Sequence, residues 1–414
     1  MQQSDTRRRT LPRTLLWLCL LAMCLPMPLT SRACTSFIIS GKATKDGRPM
    51  ILKNRDTGDQ NNVVVVAQGE LYRYMGIAAA WDMRPLSVWG GHNEVGFAII
   101  NTAAYNLNGC KGKDTDHDGI LMRRALEVCR TLADFEHLLD TLPKPMDLNS
   151  NFGVLDAEGG CAYYETGDST YAKFDANDPA DAPDGYIVRT NHGLTGCRDI
   201  DSGVERFMAI SDFMAEASRG GRLECQYLLT HVPRHLTHGI TGQNLYDDLP
   251  RDENDVRMIP FIDFIPRYIS SSCLLVQGVQ KGEPASNTVG WTSIGWPCAS
   301  VAIPLVLAPD VPLPSIVMRD DETGKAWLCT KSIEQKNKVF SLTRGNTRSY
   351  IDLSKLVNAS GTGIVQRTQR LEEEVLRRGS KAVEKVRKGK SPSESLRDYY
   401  RWVEEYVVTH FPQE

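Results

Sequence analysis

The chain has little with which to grip a polyanion or cross a bilayer. Lysine and arginine number 48 against 51 aspartate and glutamate, a net charge of -3 over 414 residues. No basic field holds phosphate backbones, and nucleic acid is not an expected partner. The longest apolar run, Leu15 to Leu25, falls short of the about 20 residues a spanning helix needs, so no transmembrane helix is expected in the mature protein. There is no Cys-x-x-Cys pair and no His/Cys spacing of the kind that holds zinc. Glycine (33) and proline (21) are too few for a collagen-like or low-complexity chain, and no internal repeat is present. What is there, 41% hydrophobic and 24% charged residues, is enough to bury the core of one large or two smaller domains.

Residues 1–33 have a composition of their own. Arg7, Arg8, Arg9 and Arg13 precede the apolar run, and Pro26, Pro28, Ser31 and Ala33 follow it. This is the layout of a signal peptide, with small residues three and one positions before Cys34. Cleavage there leaves Cys34 as the new N-terminus, a residue carrying both a thiol and a free amine. The amine, with a reference pKa of about 7.7–8.0, is suited to act as base for its own nucleophile. The other reading of the same position is a diacylated lipoprotein cysteine, which Arg32 fits poorly. The mature chain is then a mildly acidic exported protein of 381 residues, periplasmic or extracellular, with net charge -7. Eight further cysteines remain, from Cys110 to Cys329. An even number in an oxidising compartment permits disulfides without naming their pairing, and buried unpaired thiols remain the alternative.

From Cys34, CTSFIISGKATKDGRPMILKNRD is a hairpin signal: a β-rich run, a polar turn and a second apolar run ending in charge. A tight turn at Asp46-Gly47 would set Phe37 opposite Asp56. A wider loop from Gly41 to Pro49 would pair Ser40 with Met50 and set Cys34 opposite Asp56, and is favoured because Gly41 and Pro49 both punctuate strands. Further short strands are expected over 63–67, 96–101, 152–156, 161–165 and 186–191. Helices are expected over 120–129 and, capped by Thr131 with Asp134, up to Pro143. Many strands with helices grouped between them point to an α+β architecture of layered sheets covered by helices. Past Thr362 the composition turns highly charged, which predicts a solvated helical tail over 363–414. Ser391, Pro392 and Glu394 cap its last helix, whose stripe from Leu396 to Val407 docks on its own domain or, less expectedly, forms an oligomer interface.

The motif CTSFIIS…KNRD resembles the start of the N-terminal nucleophile hydrolases. Within them it is similar to choloylglycine hydrolases, acid ceramidase-like amidases and the peptidase family of acyl-coenzyme A:6-aminopenicillanate acyltransferase, over most of residues 34–310. The resemblance implies a four-layer αββα sandwich over residues 34–362 and a site without metal or organic cofactor. It implies Cys34 as nucleophile and Asp56 as the residue that orients and supports its amine. Lys53 stands where bile salt hydrolases and ceramidases carry arginine, and lacks arginine's planar fork. Arg55 is either a compensating cation or a surface one. Asn101, in GFAIINTAAYN, falls beside the substrate carbonyl, and Asn191, in IVRTNHG, corresponds to the oxyanion donor, a group whose loss costs roughly 10²–10³ in turnover in comparable sites. Arg267 is a candidate for the family's late arginine, with an ordinary ion pair as the alternative.

Other features carry less. His192 follows Asn191 and packs on the opposite face; His231, His235 and His238 sit around Pro233 as a helix end or loop. Asp114, Asp116, Asp118 and Gly119 imitate the opening of a calcium loop, but position twelve is Ala125 rather than glutamate. Trp291 and Trp296 are candidates for an apolar acyl pocket or for the core. The sequence thus predicts an exported cysteine amidase acting on a small-molecule N-acyl amide, or an acyltransferase using the same site. A lipid-anchored binding protein and a papain-like peptidase with another nucleophile are the competing classes.

Overall fold

The computed structural model describes residues 33–110, 117–198, 202–389 and 392–412, and they form one compact unit. Its layering follows from alternation of side chains along each strand. In β1 (Thr35–Ile39), Phe37 and Ile39 enter one core cluster and Ile38 another; in β2 (Met50–Asp56), Met50 and Leu52 join the first and Ile51 the second. Strands buried on both faces appear as unbroken apolar runs, which is why FII and MIL show no polar alternation.

These strands belong to a six-stranded antiparallel sheet ordered β10-β1-β2-β12-β13-β14, completed by β10 (Tyr186–Arg189), β12 (Ser270–Gln277), β13 (Val289–Ile294) and β14 (Ile303–Leu305). A second antiparallel sheet of seven runs in chain order through β3 (Asn62–Gln68), β4 (Arg73–Ala79), β5 (Gly91–Asn93), β6 (Ala98–Ala103), β7 (Ser150–Leu155), β8 (Cys161–Thr166) and β9 (Tyr171–Asp175). A small pair is made by β11 (Met258–Pro260) and β15 (Tyr350–Asp352). Ile38, Ile51 and Leu274 of the first sheet meet Ile77, Ile100 and Tyr163 of the second in a shared apolar layer. Helices α1 (Asp118–Val128) and α2 (Leu132–Thr141) cover the seven-stranded sheet. The six-stranded sheet is covered by α3 (Val204–Arg219), α4 (Cys225–His231), α5 (Trp327–Val339) and, after the short α6 (Leu353–Leu356), by α7 (Ile364–Arg387) and α8 (Pro392–His410). The expected αββα sandwich is present, as are the expected strands and both expected helices, with the Thr131–Asp134 capping box formed.

Two expectations are corrected. The β1–β2 loop is wide, but Ile39 rather than Ser40 pairs with Met50. Past Ile39, Ser40 continues toward β10 through its N–H to Gly185 O at 2.8 Å, and its hydroxyl donates to Asn177 Oδ1 at 2.6 Å. The C-terminal helices are not a solvated tail. Leu371, Val375, Leu376, Tyr399, Tyr400 and Val403 are buried in the main core, and Val306 N donates to Tyr400 Oη at 3.0 Å. Charge density in the sequence measures the exposed face of an amphipathic helix and says little of the buried one. Ser391 of the expected cap lies outside the described residues.

Candidate active site

Cys34 sits one residue before β1, 6% exposed, with Ala33 before it 1% exposed. The β1–β2 register pairs Thr35 with Asn54 and Ser36 with Lys53. Carried one residue further it sets Cys34 beside Arg55, not Asp56. A one-residue slip exchanges the two faces of a strand. The sulfur therefore shares the face of Lys53, while the Asp56 carboxylate lies on the other face. That corrects the expected pairing and gives the two groups separate surroundings.

Asp56 is 2% exposed and held from three sides. Arg267 donates to its Oδ2 through Nε at 3.0 Å and Nη2 at 2.8 Å, and the Ser270 hydroxyl to its Oδ1 at 2.6 Å. A break in the β2–β12 register between Ser270 and Ser272 accompanies that contact. Asn54 adds a long contact at 3.5 Å. Arg267 is thus the ion-pair partner of Asp56. Its own carbonyl accepts from Trp296 Nε1 at 2.9 Å, which assigns Trp296 to the core.

On the sulfur's face, Lys53 is 3% exposed and donates to Trp89 O at 2.8 Å and Asn101 Oδ1 at 2.5 Å. Burial pulls its ammonium down to about 8, against the opposing pull of the Cys34 sulfur. An ammonium has three N–H donors, so one is left for the sulfur or a bound acyl oxygen among the described residues. Asn101 is not free to meet a substrate carbonyl: its Nδ2 donates to Asp118 Oδ2 at 2.9 Å and Ser150 Oγ at 3.1 Å. It acts on Lys53 instead. Asp118, whose spacing imitates a calcium loop, is drawn into this chain; Asp114 and Asp116 lie outside the described residues. Among the described residues no cluster of histidine, cysteine and acid could hold a metal. Arg55 is 6% exposed rather than a surface cation, donating to Asn62 Oδ1 at 2.5 Å with its guanidinium 4.8 Å from the centre of the Trp89 ring.

Arg206 was not among the residues expected from the sequence; it is 1% exposed in the first turn of α3. It donates through Nη1 to Cys34 O at 2.6 Å and Thr35 Oγ1 at 3.1 Å, and through Nη2 to Asn191 Oδ1 at 2.9 Å. Burial, then the nearby Arg267, lower it to about 10, while Asp56 and Cys34 pull the other way. The signal that could have found it is a cation at a helix N-terminus, where the macrodipole opposes it unless it has partners. Gly203 sits at φ +75°, a left-handed conformation that favours glycine, directly beside the Arg206 guanidinium.

Asn191 is fully buried and presents its carbonyl, not its amide, to Cys34. Oδ1 accepts from Cys34 N at 2.8 Å as well as from Arg206, and Nδ2 donates to Ala103 O at 2.8 Å. Turning the amide over would set its N–H groups against two donors. In this arrangement the amide oxygen of Asn191 faces the Cys34 nitrogen and its Nδ2 faces Ala103 O. Its loop is held firmly. Asn151 Nδ2 donates to Thr190 O at 3.2 Å and His192 O at 3.1 Å, Asn106 brackets Gly193, and Glu165, paired with Arg189 at 2.9 Å, accepts from Leu194 N and Thr195 N. A Cys110–Cys197 disulfide ties the loop after β6 to the same segment. His192 packs edge-on against Phe207, His231 stacks on Tyr227 and His235 packs edge-on against Phe213.

The remaining free thiols, Cys129, Cys161, Cys225, Cys273, Cys298 and Cys329, are all pushed up by burial, Cys329 to about 11. A thiol held protonated is a poor nucleophile. This disfavours a nucleophile elsewhere among the described cysteines.

Comparison with known proteins agrees with the resemblance read from the sequence. The model of the family acyl-coenzyme A:6-aminopenicillanic acid acyl-transferase matches residues 43–219. That range includes Lys53, Asp56, Asn101, Asn191 and Arg206, and begins after Cys34. Among solved structures, the chain is similar to a variant of the conjugated bile acid hydrolase from Clostridium perfringens, at 11% identity and TM-score 0.36, over 63% of this chain and 89% of that one. It is also similar to a Caenorhabditis elegans N-acylethanolamine-hydrolyzing acid amidase ortholog, at 16% identity and TM-score 0.34, over 50% and 89%. A penicillin V acylase from Agrobacterium tumefaciens gives 11% identity and TM-score 0.34, over 66% and 86%. No curated protein matches.

Proposed function

From the premise that residues 43–219 carry the acyl-coenzyme A:6-aminopenicillanic acid acyl-transferase family pattern, we propose that the chain is an exported N-terminal-cysteine amidase. Its substrate is a small-molecule linear N-acyl amide. The observation that carries the reading is the 2.8 Å bond from Cys34 N to Asn191 Oδ1, beside a buried lysine on the sulfur's own face. In the uncleaved chain that nitrogen is a peptide amide. Once residues 1–33 are gone it is an amine, and the same acceptor holds one of its N–H bonds so that the lone pair is left for the thiol proton.

The steps follow from the groups present. The amine takes the proton from the Cys34 thiol, and the thiolate attacks the amide carbonyl. Lys53, with a donor to spare, meets the negative charge that develops on oxygen. The resulting ammonium, held by Asn191 Oδ1, returns the proton to the leaving nitrogen as the C–N bond breaks. Water, activated by the same amine, then resolves the thioester. An amine or thiol acceptor in place of water makes the same site an acyltransferase. The Cys110–Cys197 disulfide supports export, since such bonds persist in oxidising compartments.

The test is a free-amine release assay across N-acyl amides bearing fatty, aryl-acetyl and bile-acid acyl groups, with intact mass of the secreted protein. An unmodified chain starting at Cys34 that releases amine, and a folded Cys34→Ser variant that does not, support the reading. A diacylglyceryl adduct on Cys34, or activity that survives Cys34→Ser, overturns it.

A further inference from the structure

Strands β2 and β12 have two ends. Asp56 marks one; at the other, where Met50 pairs with Gln277, a cavity of about 610 Å3 opens against helix α7. Six residues of strand at about 3.3 Å each separate the two ends by about 20 Å. The rim carries two exposed ion pairs, Lys45 with Glu224 at 2.7 Å and Lys388 with Glu384. The deeper lining is apolar, with Trp291, Leu223 and Val383 each at most 4% exposed.

Two donors in this lining are unmet. Trp291 Nε1 and Arg387 Nε are buried without a hydrogen-bond partner. Arg387 gives Nη2 to Gln277 Oε1 at 2.9 Å and makes only a long ion pair with Glu283, whose Oε1 stands 3.7 Å from Arg387 Nε while its Oε2 takes Arg48 at 2.9 Å. Burial and the charge of Arg48 hold the Arg387 guanidinium below its ordinary range. An unmet buried donor costs about 1–3 kcal/mol. A carboxylate can accept from several donors at once and balance the crowded guanidinium.

We propose that this cavity is a second binding site, distinct from the Cys34 site, for an amphipathic monocarboxylate. The apolar body lies over Trp291, Leu223 and Val383, and the carboxylate takes the Nε–H of Arg387 and the Nε1–H of Trp291. A bare inorganic anion has no body for the lining, and an alcohol has no charge for the guanidinium. The proposal does not rest on the amidase reading.

Isothermal titration of the purified chain with hexanoate tests it, with inorganic phosphate and 1-hexanol as probes lacking one half of the ligand each. A Cys34→Ala background removes turnover. Saturable binding of one hexanoate per chain is expected, at least tenfold tighter than either control. Trp291→Phe, which keeps a ring and removes the N–H, should weaken it at least tenfold. Arg387→Gln should do the same, with Arg387→Lys as the second variant should Gln fail to fold. Absence of saturable binding, equal binding of phosphate, or full retention of affinity in Trp291→Phe overturns the proposal.

Discussion

Lys53 Nζ donates to Asn101 Oδ1 at 2.5 Å, and Asn101 in turn donates to Asp118 Oδ2 at 2.9 Å. A buried cation is thus tied to a carboxylate through a neutral amide rather than by direct contact. The relay fixes the lysine in place without quenching it. A direct ion pair would lower the positive potential at the sulfur, whereas an amide spacer leaves most of it available to an oxyanion.

Burial brings the Lys53 ammonium down to about 8. Below that pH it is charged and can stabilise the oxyanion; above it the charge is lost. The kcat/KM profile is therefore expected to fall as pH rises through about 8. Arginine stays protonated in proteins, so Lys53→Arg should remove this alkaline limb. Lys53→Met should lower kcat by roughly 10²–10³. An alkaline limb unmoved in Lys53→Arg would show that another group produces it.

Ala33 and Cys34 are buried in the folded, uncleaved chain, at 1% and 6% exposure. A protease acting from outside reaches that bond only before folding, whereas the Cys34 thiol is always beside it. Expressed without an export pathway, the full chain is expected to lose residues 1–33 on folding, and Cys34→Ala to keep them. Intact mass of both proteins decides. Retention of the leader by the folded parent chain would assign the cleavage to a separate peptidase.

Arg206 ties the Asn191 carbonyl to the Cys34 segment, so its removal takes away one of the two donors that orient that carbonyl. Arg206→Met is then expected to lower kcat at least tenfold with little change in KM, and to alter the pH dependence of Cys34 alkylation by iodoacetamide. Arg206→Lys, which lacks the fork, should restore only part of the rate. A merely structural role would lower the melting temperature and leave the alkylation profile of the folded fraction unmoved.

The sandwich was legible because its strands are buried on both faces, which leaves apolar runs such as FII and MIL that polar loops bound. Lys53, Asn54, Arg55 and Asp56 were legible as one motif because they are contiguous on β2. Arg206 was not, since the residue whose carbonyl it binds lies 172 positions away and no local spacing encodes that contact. The register was missed by one residue because a loop of this width fixes its pairing by contacts distant in sequence, such as that of Ser40 with Asn177 and Gly185. The role of Asn101 was hidden for a different reason. Its partner Asp118 sits in a run of alternating acids that points to a cation, and only the approach of α1 to β6 turns it toward an asparagine.

Glu372 decides how far the C-terminal helices belong to the catalytic domain. It is 1% exposed, its Oε2 takes Arg234 Nη1 at 2.6 Å and its Oε1 takes Ala302 N at 2.8 Å. Arg234 also donates to Ser300 O at 2.7 Å, so one buried pair joins α7 to the turn after α4 and to the segment entering β14. Removing one partner of such a pair strands the other charge in a dry interior, at a cost of about 3–5 kcal/mol. Glu372→Ala is expected to lower unfolding free energy by that amount in urea titration, with the whole protein unfolding in one transition. Were residues 363–414 an independent appendage, the variant would instead show a separate early transition, with the main one and the amidase activity unchanged.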